Sequence, residues 1–147
     1  PEMTRFFMPI EEAVDLVLDA NERMTGGEVF VLKMPTFDVG TLAQVMIDSY
    51  SPAVDIDPET IDIEIIGRRP GERMHEKLIS KDELPNTVEQ SDMFVIYPEI
   101  DFGNHQYREN TVSFTTEYTS ADEQPMSSDE LVDMIERADV LPVDAHH

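Results

Sequence analysis

The sequence predicts a mixed α/β domain. Three observations carry this: helical periodicity over residues 10–24, 41–50 and 127–138, short apolar runs rich in β-formers over residues 28–34, 61–66 and 93–97, and the interleaving of the two kinds along the chain. The 147 residues suffice for one domain with a core, and the 40% hydrophobic content is ordinary for a globular protein.

Each element has its own signal. Ile10, Ala13, Val14, Val17, Leu18 and Asn21 share one face of the first helix, which follows Pro9 and ends before Gly26-Gly27. Residues 28–34 (EVFVLKM) read as a strand. The helix over 41–50 carries Leu42, Val45 and Met46 as its inner stripe. Residues 51–60 hold two prolines and three acids among small residues and read as a surface loop. Residues 61–66 (IDIEII) alternate and then turn apolar, a strand running inward; Gly67 and Gly71 break it, and residues 72–79 can form a short helix. Residues 93–97 read as a buried strand stopped by Pro98, and residues 101–117 as irregular or extended chain. Ser127 or Ser128 caps the last helix, whose narrow stripe is Leu131, Met134 and Ile135, and residues 142–147 read as a frayed end.

Composition excludes several functions. With no cysteine there is no disulfide, thiolate metal site or cysteine nucleophile. The apolar runs fall far short of the about 20 residues of a membrane span, and no secretion signal opens the chain, so a cytoplasmic, soluble protein is expected. Acidic residues number 32 against 10 basic, a net charge of −22, which repels nucleic acid and anionic lipid. An acidic tail would cluster its charge in an apolar-poor segment. Here the acids are spread over patterned helices and strands, so a salt-adapted, halophilic surface is expected. The chain opens Pro1-Glu2-Met3 with no methionine at position 1, and a fragment or processed product is expected.

Chemistry concentrates in residues 67–76 (GRRPGERMHE). Arginine's planar fork takes phosphate oxygens in pairs. Arg68 and Arg69 precede Pro70, which fixes a backbone angle, and Gly71, which permits a sharp turn. Glu72 can accept hydrogen bonds from a diol such as a ribose. Arginine for diphosphate and carboxylate for ribose suit a nucleoside diphosphate; the other reading is a solvated turn whose arginines pair with nearby acids. Arg5, beside Phe6 and Phe7, is either a second phosphate contact or a surface arginine over packed rings. His75-Glu76 is an acid–base pair or a packing pair, and adjacent helical residues do not face each other. His105 lacks ligand spacing, His146 and His147 are terminal, and no metal site is expected. No G-x-G-x-x-G turn exists, and no tyrosine is followed by lysine four residues on.

GRRPGERMHEKLIS resembles the G-x-RPGEK-x-HE segment of the polysaccharide-biosynthesis branch of the extended short-chain dehydrogenase/reductases, whose members include UDP-N-acetylglucosamine 4,6-dehydratases. PEMTRFFMPIEEAVDLVLDA, GGEVFVLKMP, DMFVIYP and Tyr118-Thr119-Ser120 resemble blocks of the same branch in the same order, well over residues 1–98 and loosely beyond. The resemblance implies the substrate-binding lobe of such an enzyme in residues 1–98, with a C-terminal extension over 99–147. It implies that Arg69 and Arg5 lie at a UDP diphosphate and that Glu72 binds the uridine ribose. It implies NAD(P) in the full-length enzyme, held by an N-terminal Rossmann domain that also carries the catalytic groups, so that this chain has no catalytic residue and binds no cofactor alone. A homo-oligomer is expected. A UDP-sugar epimerase of the same branch and a non-catalytic acidic binding module are the other readings. Arg68 departs from the family, which has an apolar residue there, and residues 51–60 lengthen a loop. The helix over 10–24 and the strand over 61–66 are expected to expose apolar surface suited to a partner domain.

Overall fold

The computed structural model describes residues 2–100 and 112–138. The readings of residues 101–111, with His105 and Tyr107, and of residues 142–147 lie outside them. The fold is mixed α/β: the described residues form three α-helices and three small antiparallel sheets.

Strand β1 (Thr4–Phe6) leads into helix α1 (Ile10–Arg23). Strands β2 (Val29–Leu32) and β3 (Thr36–Asp38) follow, then helix α2 (Val39–Tyr50). Asp38 ends β3 and starts α2: its carboxylate accepts from the Thr41 N–H at 3.0 Å, satisfying a donor that the first helical turn leaves open. Residues 51–60 fold into two short 3-10 turns, Pro52–Val54 and Pro58–Thr60. Strands β4 (Lys77–Ile79), β5 (Thr87–Glu89), β6 (Met93–Ile96) and β7 (Tyr118–Thr119) precede helix α3 (Ser128–Arg137).

β6 is the centre of the largest sheet, between β2 and β5, and all four of its residues are buried. β1 pairs with β3, and β4 with β7. One core cluster gathers Val31, Ile79, Leu84, Phe94, Ile96 and Tyr118. Tyr118 is its hub, with ring centroids 5.0 Å from Phe94 and 5.3 Å from Phe114. The second cluster joins Phe37 and Val45 to Leu131 and Ile135, packing α2 against α3. The stripe read on the last helix is buried in full: Leu131, Met134 and Ile135. Its N-terminus carries a reciprocal capping box between Ser127 and Glu130.

Two expectations are corrected. Residues 61–66 are not a strand. β-branched residues favour an extended backbone, but a strand needs a hydrogen-bonding neighbour. Residues 62–68 make no main-chain hydrogen bond among the described residues. Residues 72–79 are not a helix: the left-handed Gly71 (φ +89°) breaks the chain, and Lys77–Ile79 pairs with β7 instead, burying Ile79 completely. Tertiary pairing overrides the local pattern here.

The apolar face of α1 is uncovered. Ile10, Val14, Val17 and Leu18 are 77%, 53%, 67% and 60% exposed, and no residue of the helix is buried. Ile63, Ile65 and Ile66 are exposed as well. Helices of this length draw most of their stability from packing an apolar face, so a face left in water is unusual. Among the described residues no helix is long and apolar enough to cross a membrane.

Candidate functional site

The loop after residue 66 is a tight turn between two left-handed glycines, Gly67 (φ +78°) and Gly71 (φ +89°). A side chain at either position would meet no neighbour within 4 Å, so the backbone angle, not crowding, requires glycine. Between them Arg69 and Glu72 lock together. The Arg69 N–H donates to Glu72 Oε2 at 2.9 Å, and the Glu72 N–H donates to the Arg69 carbonyl at 3.1 Å. The sequence reading gave Glu72 to the first turn of a helix; its carboxylate instead closes this turn.

The arginines of the loop are unclaimed. Arg68, Arg69 and Arg73 are exposed, and among the described residues their side chains make no hydrogen bond or ion pair. In a chain carrying 32 acidic residues this is informative. Arg23 pairs with Asp19, Lys33 with Glu89 and Lys77 with Glu117. Three guanidinium groups that meet no carboxylate among the described residues suit this short turn to an anion.

Arg5 has the opposite character. Its Nε faces Glu76 Oε1 at 3.1 Å. Its Nη1 donates to the carbonyls of Thr4 at 2.7 Å and Met74 at 3.3 Å. Its Nη2 donates to the Arg73 carbonyl at 3.0 Å and to Met3 Sδ at 3.1 Å. Its two Nη groups thus make four hydrogen bonds, and its Nε faces a carboxylate.

Next to it lies a small buried network. Thr4 Oγ1 is 2.8 Å from His75 Nδ1 and 2.7 Å from Ser120 Oγ. Ser120 Oγ accepts from the Glu76 N–H at 2.9 Å and donates to the Thr4 carbonyl at 3.1 Å. Ser120 is fully buried. The network ties β1, the segment before β4 and the turn after β7 at one point. Sequence reasoning assigned no role to Thr4 or Ser120; 116 residues separate them, and only the resemblance of the Tyr118-Thr119-Ser120 block hinted at this segment.

His75 and Glu76 thus engage different partners and do not form an acid–base pair. Burial, with the hydrogen bond to Glu123 at 2.8 Å adding to it, pushes the Tyr118 hydroxyl well above the usual tyrosine range, which suits a core residue. No cluster of three metal-ligating side chains occurs among the described residues.

A family model described as polysaccharide biosynthesis protein matches residues 1–98. An uncharacterized membrane protein of Methanocaldococcus jannaschii is 50% identical over 98 residues, covering 67% of this chain and 29% of that protein. The inverting UDP-N-acetylglucosamine 4,6-dehydratase of Campylobacter jejuni is 37% identical over 100 residues, covering 68% of this chain and 27% of the enzyme. A UDP-glucose 4-epimerase of Rickettsia rickettsii is 30% identical over 139 residues, covering 92% and 39% respectively. Among solved structures, Pen from Bacillus thuringiensis superposes with a TM-score of 0.79 at 32% identity, covering 96% of this chain and 40% of Pen. The chain therefore spans well under half the length of each of these relatives.

Proposed function

Because the chain belongs to the polysaccharide biosynthesis protein family, we propose that it is the UDP-sugar-gripping, C-terminal part of a nucleotide-sugar 4,6-dehydratase of the UDP-N-acetylglucosamine type. The observation that carries this reading is the set of guanidinium groups, unpaired among the described residues, on the turn locked by Glu72. Arg69 takes the diphosphate, with Arg68 beside it in sequence. Glu72 spends Oε2 on the turn and offers its second oxygen to a ribose hydroxyl. Electrostatics favours a local site: the whole chain repels an anion, but at high salt that field dies within about 3 Å while direct contacts persist.

The family implies NAD(P), and the described residues do not fit it. The strand-to-helix junction that could cradle a dinucleotide, β3 into α2, carries Gly40 alone and is closed by the Asp38 side chain. This chain then contributes grip, and a separate Rossmann domain of the same protein holds the cofactor and the groups that remove water. The uncovered aliphatic face of α1 and the exposed isoleucines of residues 61–66 are the surface this domain would cover, which supports the partner reading.

A UDP-sugar epimerase is the second reading, favoured by the longer reach of the Rickettsia alignment into residues beyond 98. Titration of UDP by calorimetry at molar KCl tests the grip. Wild type binds, and Arg69→Ala loses about tenfold or more in affinity, the loss of one charge-assisted contact. Equal and negligible binding by both would remove the substrate-grip reading. Supplying a Rossmann half and following loss of water from UDP-N-acetylglucosamine separates dehydratase from epimerase.

A further inference from the structure

We propose that Ser120 is a positioning residue for the arginine turn, acting through a hydroxyl relay whose direction is set by a hydrogen on Nδ1 of His75. This rests on the reading of the turn as a UDP grip, and it adds a residue beyond the 1–98 that the family model matches. Ser120 brackets the main chain of Glu76. Its N–H donates to the Glu76 carbonyl at 2.8 Å, and its Oγ accepts from the Glu76 N–H at 2.9 Å. On the other flank of the same segment, Thr4 bridges His75 in parallel, and the Thr4 N–H donates to the Met74 carbonyl at 3.0 Å. Ser120 Oγ crosses to the Thr4 carbonyl at 3.1 Å, the same oxygen that accepts from Arg5 Nη1 at 2.7 Å. Residues 74–76 are thus held between β1 and the turn after β7, one residue beyond the Arg69–Glu72 turn and Arg73.

The supply of hydrogens sets the direction of the relay. His75 Nδ1 lies 2.8 Å from Thr4 Oγ1, Thr4 Oγ1 lies 2.7 Å from Ser120 Oγ, and Ser120 Oγ lies 3.1 Å from the Thr4 carbonyl. These three hydrogen bonds need three hydrogens, and the two hydroxyls supply one each. A carbonyl has none, so the third comes from His75 Nδ1. His75 then donates to Thr4, Thr4 to Ser120, and Ser120 to the Thr4 carbonyl. With the ring hydrogen on Nε2 instead, one of these contacts lapses beside two buried hydroxyls, where a lost bond is costly. Among the described residues Nε2 has no hydrogen bond that would favour that tautomer.

Nitrogen NMR of the isotope-labelled chain reads the tautomer at about pH 8.5, above the ordinary imidazole pKa of about 6.5. The His75 signals are assigned by their loss in His75→Gln. Wild type carries its hydrogen on Nδ1. Ser120→Ala frees the Thr4 hydroxyl to donate to Nδ1, and Thr4→Val, which swaps the hydroxyl for a methyl, removes the acceptor; in both variants the hydrogen moves to Nε2. Calorimetry in molar KCl then finds UDP bound about fivefold more weakly by both variants. Ser127→Ala, which weakens α3 away from this network, keeps the wild-type affinity, so lost stability alone does not account for the effect. A wild-type hydrogen on Nε2, a ring that keeps Nδ1–H in both variants, or UDP affinity unchanged in both overturns the proposal. Equal weakening by Ser127→Ala overturns it as well. If wild type binds no UDP, the grip reading falls separately, and the tautomer in the three chains judges the relay by itself.

Discussion

Arg69 and Glu72 hold each other through their backbones, each N–H bonded to an oxygen of the other residue, at 2.9 and 3.1 Å. The Glu72 carboxylate thus shapes the turn that presents the arginines. Glu72→Ala removes the bond to the Arg69 amide and frees the turn. It is expected to weaken UDP binding about tenfold and to lower Tm by less than about 2 °C, because the group is exposed and surface changes cost little. Calorimetry beside a thermal melt checks both halves. A large loss of Tm with intact binding would contradict this role.

Ser127→Ala breaks the capping box of α3, in which Ser127 Oγ and the Ser127 N–H both contact Glu130 Oε2. The expected cost is about 1 kcal/mol, a drop of roughly 3–6 °C in Tm for a chain of this size. Leu131→Ala, one turn further on, empties a fully buried site between α2 and α3. The expected cost is about 3 kcal/mol, a large share of a stability that is typically about 5–15 kcal/mol. Circular dichroism melts of the two variants should differ in that order.

Acid sensitivity has a local source at Glu28. Burial acts to raise its pKa, but hydrogen bonds from Thr25 and the Gly26 N–H outweigh that and hold it at about 2 against an ordinary 4.5. A carboxylate with a lowered folded pKa favours folding above its unfolded value, and the benefit vanishes as pH falls through the folded value. Glu28→Gln is therefore expected to lower Tm at pH 7, with the gap to wild type closing between pH 4.5 and about 2. A gap that persists at pH 2 would assign the effect to packing. Glu83 shows the same direction, held low first by the Ser80 hydroxyl and then by the Ser80 N–H.

Salt should stabilise the chain. A net charge of −22 opposes compaction, and molar salt shortens the screening length to about 3 Å. Tm is expected to rise by several degrees, about 5 °C or more, between 0.1 and 2 M KCl. A Tm that falls over this range would make ion pairs such as Lys33–Glu89, at 2.7 Å, more important than the overall repulsion.

Much of this was legible in the sequence where the signal is local. The three helices stand where their periodicity placed them, with Leu131, Met134 and Ile135 buried as the stripe implied. β2 and β6 stand inside their apolar runs. β1, β3, β4, β5 and β7 are two or three residues long, too short to show a period of two. The turn at Gly71 was readable because its signal is contiguous; the closure of that turn by Glu72 was not, since the same residue suits a helix start. The hold of Arg5 on residues 73–76 was not: partners about 70 residues apart leave no local pattern, and the same charge on Arg5 suits a phosphate or a row of carbonyls equally well.

The unladdered stretch over residues 62–68 is an open seam in a β-prone chain, the kind of edge along which copies of a protein zip together. Asp62 and Glu64 alternate with its isoleucines. Two copies laid side by side in register would set carboxylate against carboxylate at each polar step. The acidity of this stretch thus acts as a gatekeeper on the seam. High salt weakens that guard by screening it, so the stretch is expected to associate more readily in molar KCl than in dilute buffer.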